Sequence, residues 1–213
     1  VVPEAIASDE RVWVPQTETV SFRPLCLNAS QGYWMNLLRV RQSGVLSRHR
    51  HPQPVHGFVL KGRWHYLEHD WEAREGGYVY EPPGETHTLV VPEDVTEMIT
   101  FFQVNGVMLY VDPYGKTMGF EDVFTKIEMC RNHYEEGGLG ADYVDQFIRH
   151  GLDMLRDDSR FVRMVLPGNV VIERGMEEGE AQAIIGGVMW HRYQMPAYHL
   201  IAEDGHGITL VNI

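Results

Sequence analysis

Short apolar stretches separated by turn residues fill the segment from Val12 to about Pro113. Two of these turns, Lys61-Gly62 and Asn105-Gly106, lie between stretches rich in β-branched and aromatic residues. An Asn-Gly pair in such a setting is the strongest short-range signal for a β-hairpin. Many short strands at this spacing predict an antiparallel sandwich or barrel, so we expect a mainly β fold.

The spacing of apolar residues changes after Pro113. From Phe120 to Tyr134 they recur at helical intervals, and Gly137-Gly138 supplies a stop signal. A second helix is predicted to begin near Asp142, with an apolar stripe formed by Val144, Phe147, Ile148, Leu152 and Leu155. We therefore divide the chain into a β domain over 1–115, helices over 116–157 that pack on the β domain or on a partner subunit, and an accessory tail over 158–213. The tail is expected to be a small α/β unit, with a helix over 177–190 and a final hairpin turning at Asp204-Gly205.

Three histidines form a candidate metal site. His49 and His51 are two residues apart, so on a strand both imidazoles point to the same face. His87 follows a Pro-Pro-Gly turn that is expected to direct its side chain back toward the first pair. Three imidazoles on one side of an ion leave the opposite positions open for a substrate or dioxygen.

The spacing around these histidines resembles the two sequence motifs of the cupin superfamily. The first motif, G(X)5HXH(X)3,4E(X)6G, is matched at Gly44, His49, His51 and Gly62, and the second, G(X)5PXG(X)2H(X)3N, at Gly76, Pro82, Gly84 and His87. The chain departs from the motifs in three ways: Gly44 is one residue too close to His49, the final Asn is Val91, and the Glu position holds Val55 or, with one residue of slack, His56. The resemblance implies a double-stranded β-helix, a jelly-roll-like barrel, ahead of the helices and the tail.

Over residues 9–149 the chain resembles, within the cupins, the 2,4'-dihydroxyacetophenone dioxygenase family, in stretches such as "FRPLCLN", "SGVLSRHRHPQPVHG" and "YVYEPPGETHTLVV". This resemblance implies a non-haem iron(II) enzyme that uses dioxygen to split an aryl α-hydroxyketone, 2,4'-dihydroxyacetophenone, into 4-hydroxybenzoate and formate. His49, His51 and His87 would hold the iron, and zinc or another divalent ion is able to occupy the same site. Without the motif's Glu, three neutral imidazoles would leave the ion its full charge, which favours an anionic chelating substrate. The alternative is a non-catalytic cupin that senses a metal or small ligand, for which a closed four-ligand zinc site would argue.

Further side chains are candidates for the same cavity. Strand alternation after Gly62 places Trp64, Tyr66 and Glu68 on one face, either as an aromatic wall for a hydroxyphenyl ring or as a packed aromatic core. A carboxylate on an inward face must be paired, protonated or in use, so Glu68 and Glu81 are candidate catalytic bases. A salt bridge to Arg39, Arg41 or Arg48 is the alternative. His56 is a third candidate catalytic group, a pocket donor whose direction is hard to predict because two prolines precede it.

Composition limits the partners. Lys and Arg total 18 against 30 Asp and Glu, for a net charge of -12, and no basic stripe is present, so nucleic acid is not an expected partner. No apolar run approaches the roughly 18 residues of a membrane span, and the first residues lack the features of a signal peptide. The two cysteines have no metal-type spacing and suggest a reduced, cytoplasmic setting. The apolar seams of the predicted helices favour a homo-oligomer, a dimer or tetramer.

The segment from Tyr143 to Ile213 resembles a different family, the AMP nucleosidases, in "YVDQFIRHGLDML", "QAIIGG", "QMPAYHL" and "DGHGITLVNI". In that family this stretch precedes the catalytic domain. We therefore expect the tail to be accessory rather than to carry nucleosidase activity.

Overall fold

The computed structural model of the protein describes residues 1–149, 161–166, 170–173, 175–177, 198–202 and 207–210. The chain divides into two compact units, Val1–Ile148 and Arg149–Ile213.

The first unit is built from two antiparallel sheets. One has the strand order β1 (Val14–Pro15), β2 (Val20–Asn28), β3 (Tyr33–Val40), β10 (Met98–Asn105), β5 (Val55–Lys61) and β8 (Tyr78–Glu81). The other has the order β12 (Thr117–Asp122), β11 (Val107–Val111), β4 (Gly44–Arg50), β9 (Thr86–Val91), β6 (Arg63–Tyr66) and β7 (Ala73–Arg74). This is the predicted jelly-roll-like barrel, and the mainly β fold class is confirmed.

Inward-facing apolar side chains of both sheets fill the barrel. Alternation along β10 and β5 buries Met98, Phe102, Val55 and Val59, as expected for strands with one face on the core. Trp64 is fully buried in this core, and its indole Nε1 donates to Thr100 Oγ1 at 3.0 Å. The polar edge of the indole is thus satisfied inside the barrel.

The two predicted turns are corners between the sheets rather than hairpins. Strand β10 and strand β11 flank Gly106 but belong to different sheets, and so do β5 and β6 around Gly62. The hairpin prediction at Asn105-Gly106 is therefore wrong. Both glycines have positive φ, +75° and +74°, and a Cβ on Gly62 would approach Glu97 O to 2.6 Å. A glycine with positive φ is compatible with a hairpin and with a connection between two sheets. Which strand pairs with the next one is determined by the whole barrel and not by the turn residues.

Helix α1 spans Val123–Glu136, beginning after β12 rather than at Phe120. A capping box fixes its start: Thr125 N donates to Asp122 Oδ1 and Asp122 N to Thr125 Oγ1, each at 2.8 Å. The helix buries Val123, Lys126, Cys130 and Tyr134.

The predicted second α-helix is wrong for its described part, which is a 3-10 helix over Ala141–Phe147 followed by β13 (Ile148–Arg149). Val144 and Phe147 are both buried, and their separation of three residues matches the period of a 3-10 helix. Leu152 and Leu155 lie outside the described residues.

In the second unit, four strands form an antiparallel sheet in the order β15 (Val170–Glu173), β14 (Phe161–Leu166), β16 (Tyr198–Ala202) and β17 (Gly207–Leu210). Tyr198 pairs with Leu210, as the predicted final hairpin requires. The turn at Asp204-Gly205 and the predicted helix over 177–190, apart from its first residue, lie outside the described residues. None of the described helices has the length and apolar composition needed to cross a lipid bilayer. The homo-oligomer and the cytoplasmic location stay predictions.

Candidate metal centre

Four buried side chains converge inside the barrel: His49, His51, Glu81 and His87. Each is at most 7% exposed, and one potential ligand atom from each lies within 4.8 Å of all the others. The structure therefore brings together the three histidines selected from the sequence and adds one of the two carboxylates proposed as bases.

Strand geometry explains this convergence. His49 lies on β4 and His51 directly follows that strand, two residues on, so both imidazoles face the barrel interior. His49 is the register partner of His87 on β9, which places the third imidazole beside the first on the same face. The turn before β9 is held in place by a hydrogen bond of 2.8 Å from Gly84 N to His51 O.

Glu81 supplies a carboxylate that the sequence motif does not predict. Val55, at the motif's Glu position, is the register partner of Glu81 across strands β5 and β8. Glu81 Oε2 lies 2.9 Å from His51 Nε2 and 3.3 Å from His87 Nε2. The expectation of an all-histidine site is thus corrected, because the neighbouring strand delivers the carboxylate to the same place.

The donor set fits a divalent cation. His51 Nε2 and His87 Nε2 lie 3.2 Å apart, and both face Glu81 Oε2. Cis ligands about 2.1 Å from an ion are separated by roughly 3 Å, so these spacings suit metal coordination. His51 Nδ1 is 2.8 Å from Gln53 O, the hydrogen bond that orients a ligating imidazole and leaves Nε2 for the ion. Imidazole with carboxylate is a donor set for iron(II) or zinc.

Electrostatics favour the ligand forms of two of these groups. Burial, aided by the nearby His87, lowers the pKa of His49 to about 3, so this ring is neutral. Burial alone would raise the pKa of Glu81, but hydrogen bonds from His51, His87 and Tyr66 hold it well below its usual range. For His51 the effect of burial is outweighed by the hydrogen bond and charge of Glu81, which raise its pKa. A neutral imidazole and an ionised carboxylate are the species that bind metals.

Tyr66 orients two members of the cluster. Its ring stacks on that of His87, with centroids 4.0 Å apart and planes 6° from parallel, and its hydroxyl donates to Glu81 Oε1 at 2.6 Å. Trp64 contacts Tyr66 edge-on at 5.0 Å, from within the core. Of the two aromatic residues proposed for substrate binding, Tyr66 faces the cavity and Trp64 packs behind it.

Glu68 and His56 lie apart from the cluster. Glu68 accepts hydrogen bonds from Thr88 N at 2.7 Å and Thr88 Oγ1 at 2.9 Å, and pairs with Arg48, as in the salt-bridge alternative. His56 is on the outer face of β5, where its Nδ1 is 2.8 Å from the Tyr78 hydroxyl. The structure thus gives both residues local partners away from the metal centre.

Replacing Glu68 by glutamine should lower the free energy of unfolding by about 1–2 kcal/mol, because an amide cannot satisfy Thr88 and Arg48 together. Metal content and catalytic rate should change little. Urea denaturation and metal analysis would measure these effects, with Glu75→Gln, at an exposed carboxylate, as the control. A collapse of activity with stability and metal content intact would instead make Glu68 a catalytic base.

A cavity of about 410 Å³ opens onto the cluster. His49, His51, Tyr66 and Glu81 line one part of it, and apolar side chains form most of the remaining wall, among them Trp34, Leu38, Leu46, Leu89, Phe102 and Val104. A mostly apolar cavity of this size, with a few convergent polar groups, is typical of a small-molecule site.

The cavity wall also contains a buried ion pair, Lys126 with Glu121, that is not among the residues predicted for the site. Lys126 Nζ lies 2.7 Å from Glu121 Oε2, and both residues are buried. Lys126 comes three residues after Val123 and four before Cys130, so helical spacing places it on the apolar face of α1. A lysine at such a position is a signal that the sequence alone contains.

The fold is that of a cupin, and the barrel contains a buried cluster that could hold a metal ion. Residues 2–106 match the family model of the ChrR cupin-like domain, so the chain contains a cupin-family domain. An RmlC-like cupin from Ralstonia eutropha JMP134 shares 28% identity, with a TM-score of 0.57 over 59% of this chain and 83% of that one. An acetylacetone dioxygenase from Acinetobacter johnsonii shares the fold at 16% identity, with a TM-score of 0.53 over 60% of this chain and 91% of that one.

A separate similarity concerns AMP nucleosidase from Escherichia coli K12. The two sequences are 43% identical over 72 residues, which is 33% of this chain and 14% of the nucleosidase. The chain therefore spans only a small part of the curated relatives that it matches.

Proposed function

We propose that the barrel is a non-haem iron(II) dioxygenase that cleaves the carbon-carbon bond between the carbonyl and hydroxymethyl carbons of an aryl α-hydroxyketone. The observation that carries the proposal is a buried cluster of three histidines and one carboxylate opening onto a mostly apolar cavity of about 410 Å³. The candidate substrate is 2,4'-dihydroxyacetophenone, which with dioxygen gives 4-hydroxybenzoate and formate.

Different side chains would bind the metal, orient its ligands and contact the substrate. His49, His51, His87 and Glu81 hold the ion, and Tyr66 fixes the positions of His87 and Glu81. Iron(II), when bound, supplies the Lewis acid that polarises the chelating oxygens of the substrate and the redox centre for dioxygen chemistry. Leu38, Phe102 and Val104 provide an apolar wall that holds an aromatic ring and excludes water.

Anaerobic reconstitution with iron(II), followed by addition of substrate and oxygen, tests this proposal. We expect one dioxygen consumed for each 4-hydroxybenzoate and each formate formed, measured with an oxygen electrode and by chromatography. The same protein loaded with zinc should consume none. An iron-loaded protein that neither consumes oxygen nor forms the two acids from this substrate would overturn the proposal.

A second candidate is a non-catalytic cupin that senses a metal or small ligand. The four potential ligands within 4.8 Å of one another favour it, because they are able to close a tetrahedral zinc site without an open position. Cobalt(II) substitution separates the two functions. In the sensor the cobalt absorption spectrum would not change with the hydroxyketone, whereas a chelated substrate in the enzyme would alter it.

A further inference from the structure

The Glu121–Lys126 ion pair is embedded in the wall of the cavity that contains the metal centre. Lys126 is 3% exposed and Glu121 is 8% exposed. Removing two charges from water costs free energy that their mutual attraction often fails to recover, and packed apolar residues are frequently as stable. Stability alone is therefore a weak explanation for this pair.

Other polar groups of the cavity wall surround the pair. Gln16 Nε2 donates to Glu121 Oε1 at 2.7 Å. Tyr110 also lines the cavity, and burial together with the Glu121 carboxylate raises the pKa of its hydroxyl, which is therefore protonated and able to donate. The four side chains thus form a polar patch in a mostly apolar wall.

The strand register relates this patch to the metal centre. Tyr110 is the register partner of His49, and Glu121 is the register partner of Met108, two residues before Tyr110 on β11. Glu121 is thus two strands and two residues away from His49, a displacement on the order of 10 Å along the sheet. A ligand in the cavity is able to meet the metal centre at one end and the patch at the other.

We propose that Lys126, Glu121, Tyr110 and Gln16 form a recognition site for a phenolic hydroxyl at the far end of the substrate. This inference rests on the proposed function, since it assigns the other end of the substrate to the metal centre. A phenol both donates and accepts, so its oxygen accepts a hydrogen bond from the Lys126 ammonium while its O–H donates one to the Glu121 carboxylate.

The ammonium has capacity for such a ligand. It carries three N–H donors, pairs with the Glu121 carboxylate at 2.7 Å and lies over the ring of Phe22, 4.0 Å from the ring centroid. An analogue that lacks the hydroxyl would offer no acceptor to the further N–H donors of Lys126 and would place an apolar ring edge against the ion pair. Sites built in this way reject the shorter analogue strongly.

The test compares 2,4'-dihydroxyacetophenone with 2-hydroxyacetophenone, which lacks the phenol, on the iron-loaded full chain. We expect kcat/KM for the phenol to exceed that for its analogue by about a hundredfold or more, and Lys126→Met to reduce this ratio to about tenfold or less. Cys130→Ala, one turn further along the buried face of α1, is the matched control and should keep the ratio of the unmodified protein.

Two further measurements probe the phenol site without depending on Lys126→Met. Tyr110→Phe removes one oxygen only and should lower the same ratio even where Lys126→Met fails to fold. Calorimetric titration of the zinc-loaded protein with 4-hydroxybenzoate and with benzoate needs no turnover, so a preference for the phenol that Lys126 supplies would stand even if the dioxygenase reaction failed. Equal affinity for the two acids, or an unchanged kcat/KM ratio in folded variants, would overturn the phenol site.

Discussion

Replacing His87 by alanine is expected to lower the affinity for iron(II) by at least about a hundredfold and to abolish oxygen consumption. Changes to the groups that merely orient metal ligands already cost ten- to a hundredfold, and His87 is itself a proposed ligand. The side chain is fully buried, and Tyr66 stacks on its ring, so alanine removes the donor nitrogen and the orienting stack together. Metal analysis after dialysis, together with competition against a chromophoric chelator, would measure the affinity.

His56→Ala is the matched control for this experiment. It also removes one imidazole, but from the outer face of β5, where the ring contacts Tyr78. This variant should bind iron and consume oxygen as the unmodified protein does. If His56→Ala lost the metal and His87→Ala kept it, the proposed centre would be wrong.

Glu81→Gln should produce the second large effect, a loss of metal affinity of about ten- to a hundredfold with little loss of stability. The amide keeps the shape of the side chain and an oxygen that accepts a hydrogen bond from the Tyr66 hydroxyl. It removes the negative charge beside His51 and His87. Glu81→Ala should add a cost of about 1–3 kcal/mol in unfolding free energy, since it leaves the buried Tyr66 hydroxyl without its acceptor.

Moving the carboxylate provides the control for Glu81. In the double variant Val55→Glu with Glu81→Val, the charge returns to the position that the cupin motif specifies, on the paired strand. Metal affinity should recover relative to Glu81→Val alone. Full metal affinity in Glu81→Gln would show that the carboxylate is not part of the centre.

The sequence predicted the fold class because alternation and turn spacing are local properties of the chain. It did not predict the path between the sheets: Gly62 and Gly106 signal turns, but whether the next strand pairs with the previous one depends on the whole barrel. Tertiary packing also explains the 3-10 helix over Ala141–Phe147. Val144 and Phe147 are both buried, and their spacing of three residues is the repeat of a 3-10 helix rather than of an α-helix.

The candidate site was predictable to the extent that it follows strand parity. His49 and His51 share a face through the two-residue period, and the second motif adds His87. The role of Glu81 depends on its pairing with Val55, which no pattern along a single strand contains. A lysine within an apolar helical stripe, by contrast, was a usable signal, because a buried charge requires a partner.

The pairing of Val55 with Glu81 also shows that two different strands of such a barrel can supply the carboxylate at the same place. A carboxylate on the register partner of the motif position, on the paired strand, keeps the negative charge in the pocket. The sequence then no longer matches the cupin motif at the Glu position. Two proteins with the same four ligands would then differ in the motif, and two with the same motif would differ in charge. Comparing the three-dimensional positions of the ligands, rather than the sequence motifs, would group together the proteins that bind the same ion.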